Sequence, residues 1–471
     1  MKINNYKYLC KVFDSVLEQT SLIEIVANNY LHIINAHPQS LKKYSLSLKL
    51  NLLLFFRSKF IIIFRLIQSI FKNTVHKPAE TDILFVSHLT NISQHSHEDD
   101  AYFGNLPKIL NNNKIKNGIA LINHIKVNCK PKNYRKTNFT SRYILDTNLR
   151  FISELKLIKS QIKSKKKLKK KLKDLKIDRL LSKEILNYHH SPDTYNAIRI
   201  AKQVADIAKK SNAKCVITTY EGHAWERLVY QCVRKNNPSI MCYGYQHAAI
   251  SKYHHSINKS LQDQFNPDII FTSGLITKRF LKKNKRIKSK IICLGSFKQL
   301  HQKIQKNVRK CCLVVPEGIF SECISLFKFS YDYALEHKNQ KFIWRLHPIL
   351  NLKILKNKIS FFKNLPKNII ISEEKLNDDI KKCDYVLYRG STSVLSAISA
   401  GLSPIYYKRF RNELSIDPIY EVLEGKFIVS NIIELHKSLN TKVSIKQKIK
   451  LQKFSINYFT PININSLLKS V

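Results

Sequence analysis

Glycine is scarce in this 471-residue chain, at 10 residues, and tryptophan and methionine stand at two each. Acids are also few: 33 Asp and Glu against 81 Lys and Arg leave a formal net charge of +48. Neither GxxxxGK followed by Ser or Thr, nor GxGxxG, is present. Nucleoside-triphosphate hydrolysis and dinucleotide redox chemistry therefore lack their usual phosphate cradle. No DxD-like pair stands at a strand end, Glu98-Asp99-Asp100 and Asp378-Asp379 reading as loop or helix-start acids, so neither a metal nor another cofactor is expected. The ten cysteines form no CxxC or His-spaced cluster, which argues against structural zinc. Cys215, Cys242, Cys293, Cys311, Cys312 and Cys383 lie in or beside apolar runs, as small hydrophobes do in a reducing cytoplasm. The N-terminus lacks a signal-peptide layout. The most apolar stretch, Leu50–Phe71, is interrupted by Arg57, Lys59 and Arg65 and should not span a bilayer. It reads either as a buried helix or as a basic amphipathic helix in a membrane interface.

With 44% hydrophobic and 10% aromatic residues the chain can bury sizeable cores, and its length suits two or three domains. The positive charge points to nucleic acid, an anionic membrane or an anionic substrate. Only 16 of the 81 basic residues are Arg, however, the skew that AT-rich coding produces, so most of the surplus reads as lysine padding of the surface. The densest segment, a lysine-rich helix between Leu155 and Leu186, carries Leu168, Leu172 and Leu175 at helical spacing and no interleaved aromatics. That pattern fits a solvated or membrane-surface helix better than a nucleic-acid platform.

Residues 1–78 read as a helical N-terminal region. From Thr81 the pattern becomes β/α: TDILFVSHL, GIALINHI, KCVITTY, SIMCYGYQH, PDIIFTSG and KIICLGS are strand candidates, several of them separated by helices. The alternation predicts a doubly wound parallel sheet over about 79–300, with a basic helical insertion near 150–190. It restarts in CCLVVPEG, KFIWRLHP, NIIISE, DYVLYRG and SPIYY, giving a second Rossmann-like domain over 301–471 whose last helices cross back. Most glycines sit just past strands, where they mark turns or a close backbone approach to something bound.

Ligands of such sheets bind beyond the carboxyl ends of the strands, so the polar groups there matter most. Glu221, after KCVITTY, is placed to deprotonate an acceptor hydroxyl, and His247, after the next strand, is the alternative base. In the second domain Arg345 and His347 end KFIWRLHP and suit a phosphate. Gly390 with Ser391, Thr392 and Ser393 opens a helix after a strand, an arrangement that attracts an anion. Glu317 and Gly318 begin the loop after the domain's first strand. Arg345 and Arg389 are the charges standing where a nucleotide phosphate would lie.

Tyr220-Glu221-Gly222, His347-Pro348 and Ser391-Thr392-Ser393 together resemble the acidic, HP and Ser/Thr motifs of bacterial sialyltransferases and polysialyltransferases. The C-terminal half is similar to capsular Kdo transferases and to CDP-glycerol transferases, and YGYQHAAIS is similar to surface carbohydrate biosynthesis proteins. The resemblance spans about residues 210–410. It implies a GT-B fold, two facing Rossmann-like domains, and an inverting, metal-independent glycosyltransferase. The implied donor is a nucleotide-sugar, CMP-linked and acidic, and the acceptor a surface polysaccharide or lipid-linked saccharide. Glu221 would be the base, with His347 and the Ser/Thr cluster on the nucleotide phosphate. One departure is Tyr220, which stands where those transferases usually have a further acid. The expected location is cytoplasmic, peripheral at the inner membrane face, with an anionic membrane surface as partner and no specific nucleic acid. The alternatives are a CDP-linked polyol-phosphate transferase and a non-enzymatic basic protein that binds nucleic acid or membrane.

Overall fold

The computed structural model describes residues 3–4, 6–8, 10–11, 48–70, 78–95, 99–127, 140–177, 179–189, 191–253, 256–298, 300, 304, 311–347, 350 and 352–470. Two parallel sheets organise them. The first holds β1 (Ile83–Leu89), β2 (Asn117–Asn123), β3 (Ser141–Ile144), β4 (Cys215–Thr219), β5 (Met241–Gln246), β6 (Ile269–Thr272) and β7 (Lys290–Cys293), in the order β3-β2-β1-β4-β5-β6-β7. The second holds β8 (Cys311–Val315), β9 (Lys341–Arg345), β10 (Ile369–Ser372), β11 (Tyr385–Tyr388), β12 (Ser403–Tyr407) and β13 (Phe427–Val429), in the order β10-β9-β8-β11-β12-β13. Central strands such as Ile83–Val86 and Cys312–Val314 are buried on both faces, because a parallel sheet is covered by helices on each side. Strand order reverses between β1 and β4 in one sheet and between β8 and β11 in the other. These two switch points are where a doubly wound sheet opens its crevice at the carboxyl edge.

The carboxyl edges face each other. From the first domain, Ala249 packs into the second domain's core, and Tyr458 OH accepts the Ile250 N–H at 2.6 Å. From the second, the loop after β12 sends Leu414 into the first domain's core. Two facing doubly wound domains are the architecture anticipated from the sequence.

The chain's end crosses back. After the helix Ile445–Tyr458, Ser296 N–H bonds Thr460 O at 2.8 Å and Asn463 N–H bonds Leu294 O at 2.7 Å, while Leu467 is buried in the first domain's core. This tail also changes the reading of two strand-exit glycines. A Cβ on Gly274 would lie 2.3 Å from Tyr458 O, and one on Gly295 would lie 2.2 Å from Pro461 O. What approaches those backbones is the protein's own C-terminal segment, not a ligand.

Two helical expectations are corrected. The lysine-rich segment is two helices, Phe151–Asp174 and Arg179–His189, with Lys176 at φ +52° between them. Leu50–Phe71 is not a buried helix: Leu48–Ile70 is helical, yet Phe60, Ile63, Phe64, Ile67 and Ile70 are 50–69% exposed. Residues 12–47 and 71–77 of the expected N-terminal region lie outside the described residues. Among the described residues no helix is long and apolar enough to cross a membrane.

Candidate active site

Glu221 stands two residues past β4, at the switch point of the first sheet. Gly222 turns the chain there at φ +82°, a conformation that favours glycine, and packs so closely that a Cβ would lie 2.6 Å from the Ser256 carbonyl carbon. The helix Ala224–Asn236 follows, and its Glu226, fully buried, fixes the loop from beneath. The Glu226 carboxyl accepts the N–H of Glu221 at 3.1 Å and of His223 at 2.7 Å. Glu226 thus holds the loop as the acid of a capping box.

Two imidazoles flank that carboxylate. His223 Nε2 lies 3.4 Å from Glu221 Oε2 and His247 Nε2 lies 3.8 Å from Oε1, all three side chains remaining 16–20% exposed. Their titrations diverge. Burial acts to lower the His223 pKa, but the hydrogen bond and charge of Glu221, with the charge of Glu226, raise it on balance. Burial pulls His247 down to about 4, outweighing the attraction of Glu221, so His247 is neutral near pH 7. The structure thereby brings together Glu221 and His247, the two candidate bases.

Three further groups complete the cluster. His88, on β1, contacts His124 (Nδ1 to Nε2, 2.8 Å) and Thr219 (Nε2 to Oγ1, 3.0 Å). Burial, followed by the charges of the other histidines, drives the His88 pKa well down. Tyr102 sets its ring 5.0 Å from His88 and edge-on to His247 at 4.9 Å. It is held there by Asp100, whose Oδ1 accepts the Tyr102 and Phe103 N–H groups and the Ser87 hydroxyl. Lys298, after β7, is exposed, with its ammonium 4.5 Å from the Phe459 ring centroid. Desolvation there lowers its pKa to about 8 against the attraction of Glu221. Sequence reading missed His88, His124, Tyr102 and Lys298. A signal existed for the two histidines, each at the polar end of a strand.

The second domain's switch point holds Glu317 and Gly390. Glu317 Oε2 presses so closely on Gly390 that a Cβ there would sit 2.3 Å away, which explains the glycine without any ligand. Glu317 Oε1 is buried and has no hydrogen-bond partner. Burial, then repulsion by Glu322, raises the Glu317 pKa to about 8 although Arg389 and Arg409 oppose it, so near neutral pH the group is an acid with a proton to donate. Gly318 continues this loop, half-buried. Ser391 is nearly buried, Thr392 is the N-cap of the helix Ser393–Ser399, and the Ser393 N–H donates to Ser391 Oγ at 3.4 Å. Glu317, Gly390 and the three hydroxyl residues therefore share one corner.

The two arginines are placed differently from the expectation. Arg389 is buried and committed to carboxylates, with Nε 2.8 Å from Glu322 and Nη2 3.0 Å from Glu413, and Nη1 on Tyr407 O at 2.8 Å. Its charge is matched by two buried carboxylates. Arg345, half-buried, ion-pairs with buried Asp379 and donates to Glu374 O at 2.7 Å. Its charge is thus already matched within the domain. His347 is half-buried and burial lowers its pKa; Pro348 lies outside the described residues. Among the described residues no group of three His, Cys, Asp or Glu is arranged to hold a metal.

No protein-family model and no curated protein matches the sequence. Solved structures similar to it include UDP-GlcNAc 2-epimerase from Methanocaldococcus jannaschii, at 13% identity and TM-score 0.45, over 83% of this chain and 99% of that one. The lipopolysaccharide outer core galactosyltransferase WaaB is similar at 11% identity and TM-score 0.44, over 82% and 99%. The glycotransferase of kitacinnamycin is similar at 9% identity and TM-score 0.45, over 80% and 94%. At these identities and TM-scores the functional reading rests on the residues of this chain alone.

Two acids with raised pKa values give a pH signature. The unfolded Glu226 and Glu317 lose their protons near 4.5, whereas the folded ones keep them to about 8. Between those values the native state binds more protons, so stability falls as pH rises. The slope is at most about 1.4 kcal/mol per pH unit for each group. Chemical denaturation from pH 5 to 8 is expected to show this fall, and Glu226→Gln, which keeps a capping oxygen, is expected to flatten it.

Proposed function

We propose that this protein is a glycosyltransferase that moves a sugar from a nucleotide-sugar to an acceptor hydroxyl with inversion. The observation that carries the reading is the position of the two polar clusters, each at the switch point of its own sheet, on carboxyl edges that face each other. Glu221 is the base, with His223, whose pKa it raises, on one side and neutral His247 on the other. As the acceptor oxygen attacks the anomeric carbon, its proton passes to Glu221 and the sugar–phosphate bond breaks.

The departing nucleotide phosphate is received at the corner of Gly390 and Ser391–Ser393. There the hydroxyls and the proton of Glu317 donate to the developing negative charge. His347 and Lys298 are the further cation and donor candidates on the two sides of the crevice. This assignment needs no metal. A CMP-linked acidic sugar is the donor the resemblance favours, a CDP-linked polyol phosphate is the alternative, and the acceptor is a surface polysaccharide or lipid-linked saccharide.

Thermal-shift measurements with CMP, CDP, UDP and GDP test the reading. A nucleotide at about 100 times its dissociation constant is expected to add about 2.7 kcal/mol. CMP or CDP should act selectively, and the corresponding activated sugars should then be consumed. Stabilisation by none of the four would overturn it.

A further inference from the structure

The helix Leu48–Ile70 carries an apolar stripe whose side chains are half or more exposed. Phe60 is 69% exposed, Ile63 57%, Phe64 50%, Ile67 51% and Ile70 56%. At 100° per residue these positions fall within about a third of the helix circumference. The Phe60 and Phe64 rings stack at 6.3 Å, so the stripe is continuous. The opposite side of the helix is tied to the body. Ile62 packs against the cluster of Leu149, Leu157 and Tyr195, and Arg65 Nη1 donates to Thr147 O at 2.5 Å, beside the turn after β3. The stripe is therefore a surface held in place on a folded domain.

Its surroundings are cationic. The helix Leu48–Ile70 contains no acid. The helix packed against it contains two, of which Glu154 is buried in an ion pair with Arg199 at 2.7 Å. Lys159, Lys163, Lys166, Lys167, Lys169 and Lys170 of that second helix are exposed. Lys165, half-buried on the same helix, is close enough to Lys59 of the striped helix and to Lys169 to be repelled by both, so the two helices bring positive charge together. A protein partner would need an apolar face rimmed by acids. A nucleic acid would match the lysines but leave the five apolar side chains in water. An anionic bilayer matches both, its acyl boundary taking the stripe and its headgroups the lysines.

We propose that the helix pair Leu48–Ile70 and Phe151–Asp174 is a membrane-docking surface for anionic phospholipid, lying in the interface without crossing it. This goes beyond the transferase reading and does not depend on it. The test is co-sedimentation of the full chain with phosphatidylcholine vesicles, with and without phosphatidylglycerol. Partitioning is expected to be at least about tenfold stronger with the anionic lipid and to weaken with salt. Phe60→Glu/Phe64→Glu should remove it while the melting temperature stays unchanged, since both side chains are exposed. Lys166→Glu/Lys170→Glu should weaken it about tenfold or more on anionic vesicles. Three outcomes would overturn the proposal: equal partitioning of the parent and the Phe60→Glu/Phe64→Glu variant, duplex DNA binding in place of vesicle binding, or a dimer in solution that the phenylalanine changes dissolve without any vesicle binding.

Discussion

Glu221→Gln is expected to lower turnover of the activated sugar by about 10²- to 10⁴-fold, the usual contribution of a positioned general base, while nucleotide binding and folding persist. The substitution keeps the shape of the side chain and removes only its ability to take a proton. It should spare the fold because the loop is anchored by Glu226, through the N–H groups of Glu221 and His223. It should spare the nucleotide because the donor corner is built by another domain. His247→Gln is expected to cost less: burial already holds its pKa near 4, leaving a neutral ring whose role is to orient. A spectroscopic readout accompanies the kinetics. Glu221 contributes a hydrogen bond and a charge that raise the His223 pKa, so in Glu221→Gln the His223 titration followed by NMR should move to lower pH. If Glu221→Gln retains turnover and His247→Gln loses it, the imidazole is the base. If both retain turnover, the cluster is not the site of transfer.

Much of the fold was legible because a parallel strand buried on both faces spells a continuous apolar run. Ile83–Val86, Cys215–Thr219 and Cys311–Val315 could be placed by that signal. The strands that escaped notice are β3, SRYI, and β13, FIV, each at a sheet edge and paired on one side only. An edge strand need not be apolar throughout. Arg142 in β3 is buried with its guanidinium on backbone carbonyls of the loop before Tyr102, a contact that no local pattern encodes. The break in the basic helix was equally hidden, since it depends on a non-glycine residue, Lys176, adopting a positive φ.

The site was legible where a residue stands on the exit from a strand, as Glu221, His247, Glu317 and Gly390 do. The candidate cluster was illegible where it depends on which strands become neighbours. His88 and His124 are 36 residues apart, and only the β1–β2 register, which sets Leu89 beside Asn123, brings their rings within 2.8 Å. His88 reaches Thr219 across the other flank of β1, a contact spanning 131 residues. Partner identity is the second hidden quantity. A sequence shows an arginine after a strand and leaves open whether its charge is free. Here Arg345 and Arg389 have both found carboxylates, and Lys298, on a connector with no motif, is the cation that feels Glu221.

Arg389→Met is accordingly expected to act on stability before it acts on nucleotide. The guanidinium is 1% exposed and lies between Glu322, 4% exposed, and Glu413, fully buried. Removing it leaves two buried carboxylates facing each other with only Arg409, itself a quarter exposed, to share. Breaking one side of such a buried network costs about 3–5 kcal/mol, because the desolvated charges left behind lose their compensation. Burial alone would raise the Glu413 pKa; Arg389 leads the interactions that instead hold it below its usual value. That depression contributes stability above the unfolded carboxylate pKa which is lost as pH falls, so the variant should also show a weaker loss of stability on acidification than the parent. Adding Glu322→Gln and Glu413→Gln to Arg389→Met should recover most of the deficit, since neutral amides carry no charge to strand. Urea denaturation of the parent, Arg389→Met and the triple variant, at pH 7 and at acidic pH, measures all of this. If Arg389→Met instead melted with the parent and lost only its nucleotide-induced shift, the arginine would be a ligand group and the ion cluster incidental; the four hydrogen bonds that its guanidinium makes within the domain argue for the opposite order of effects.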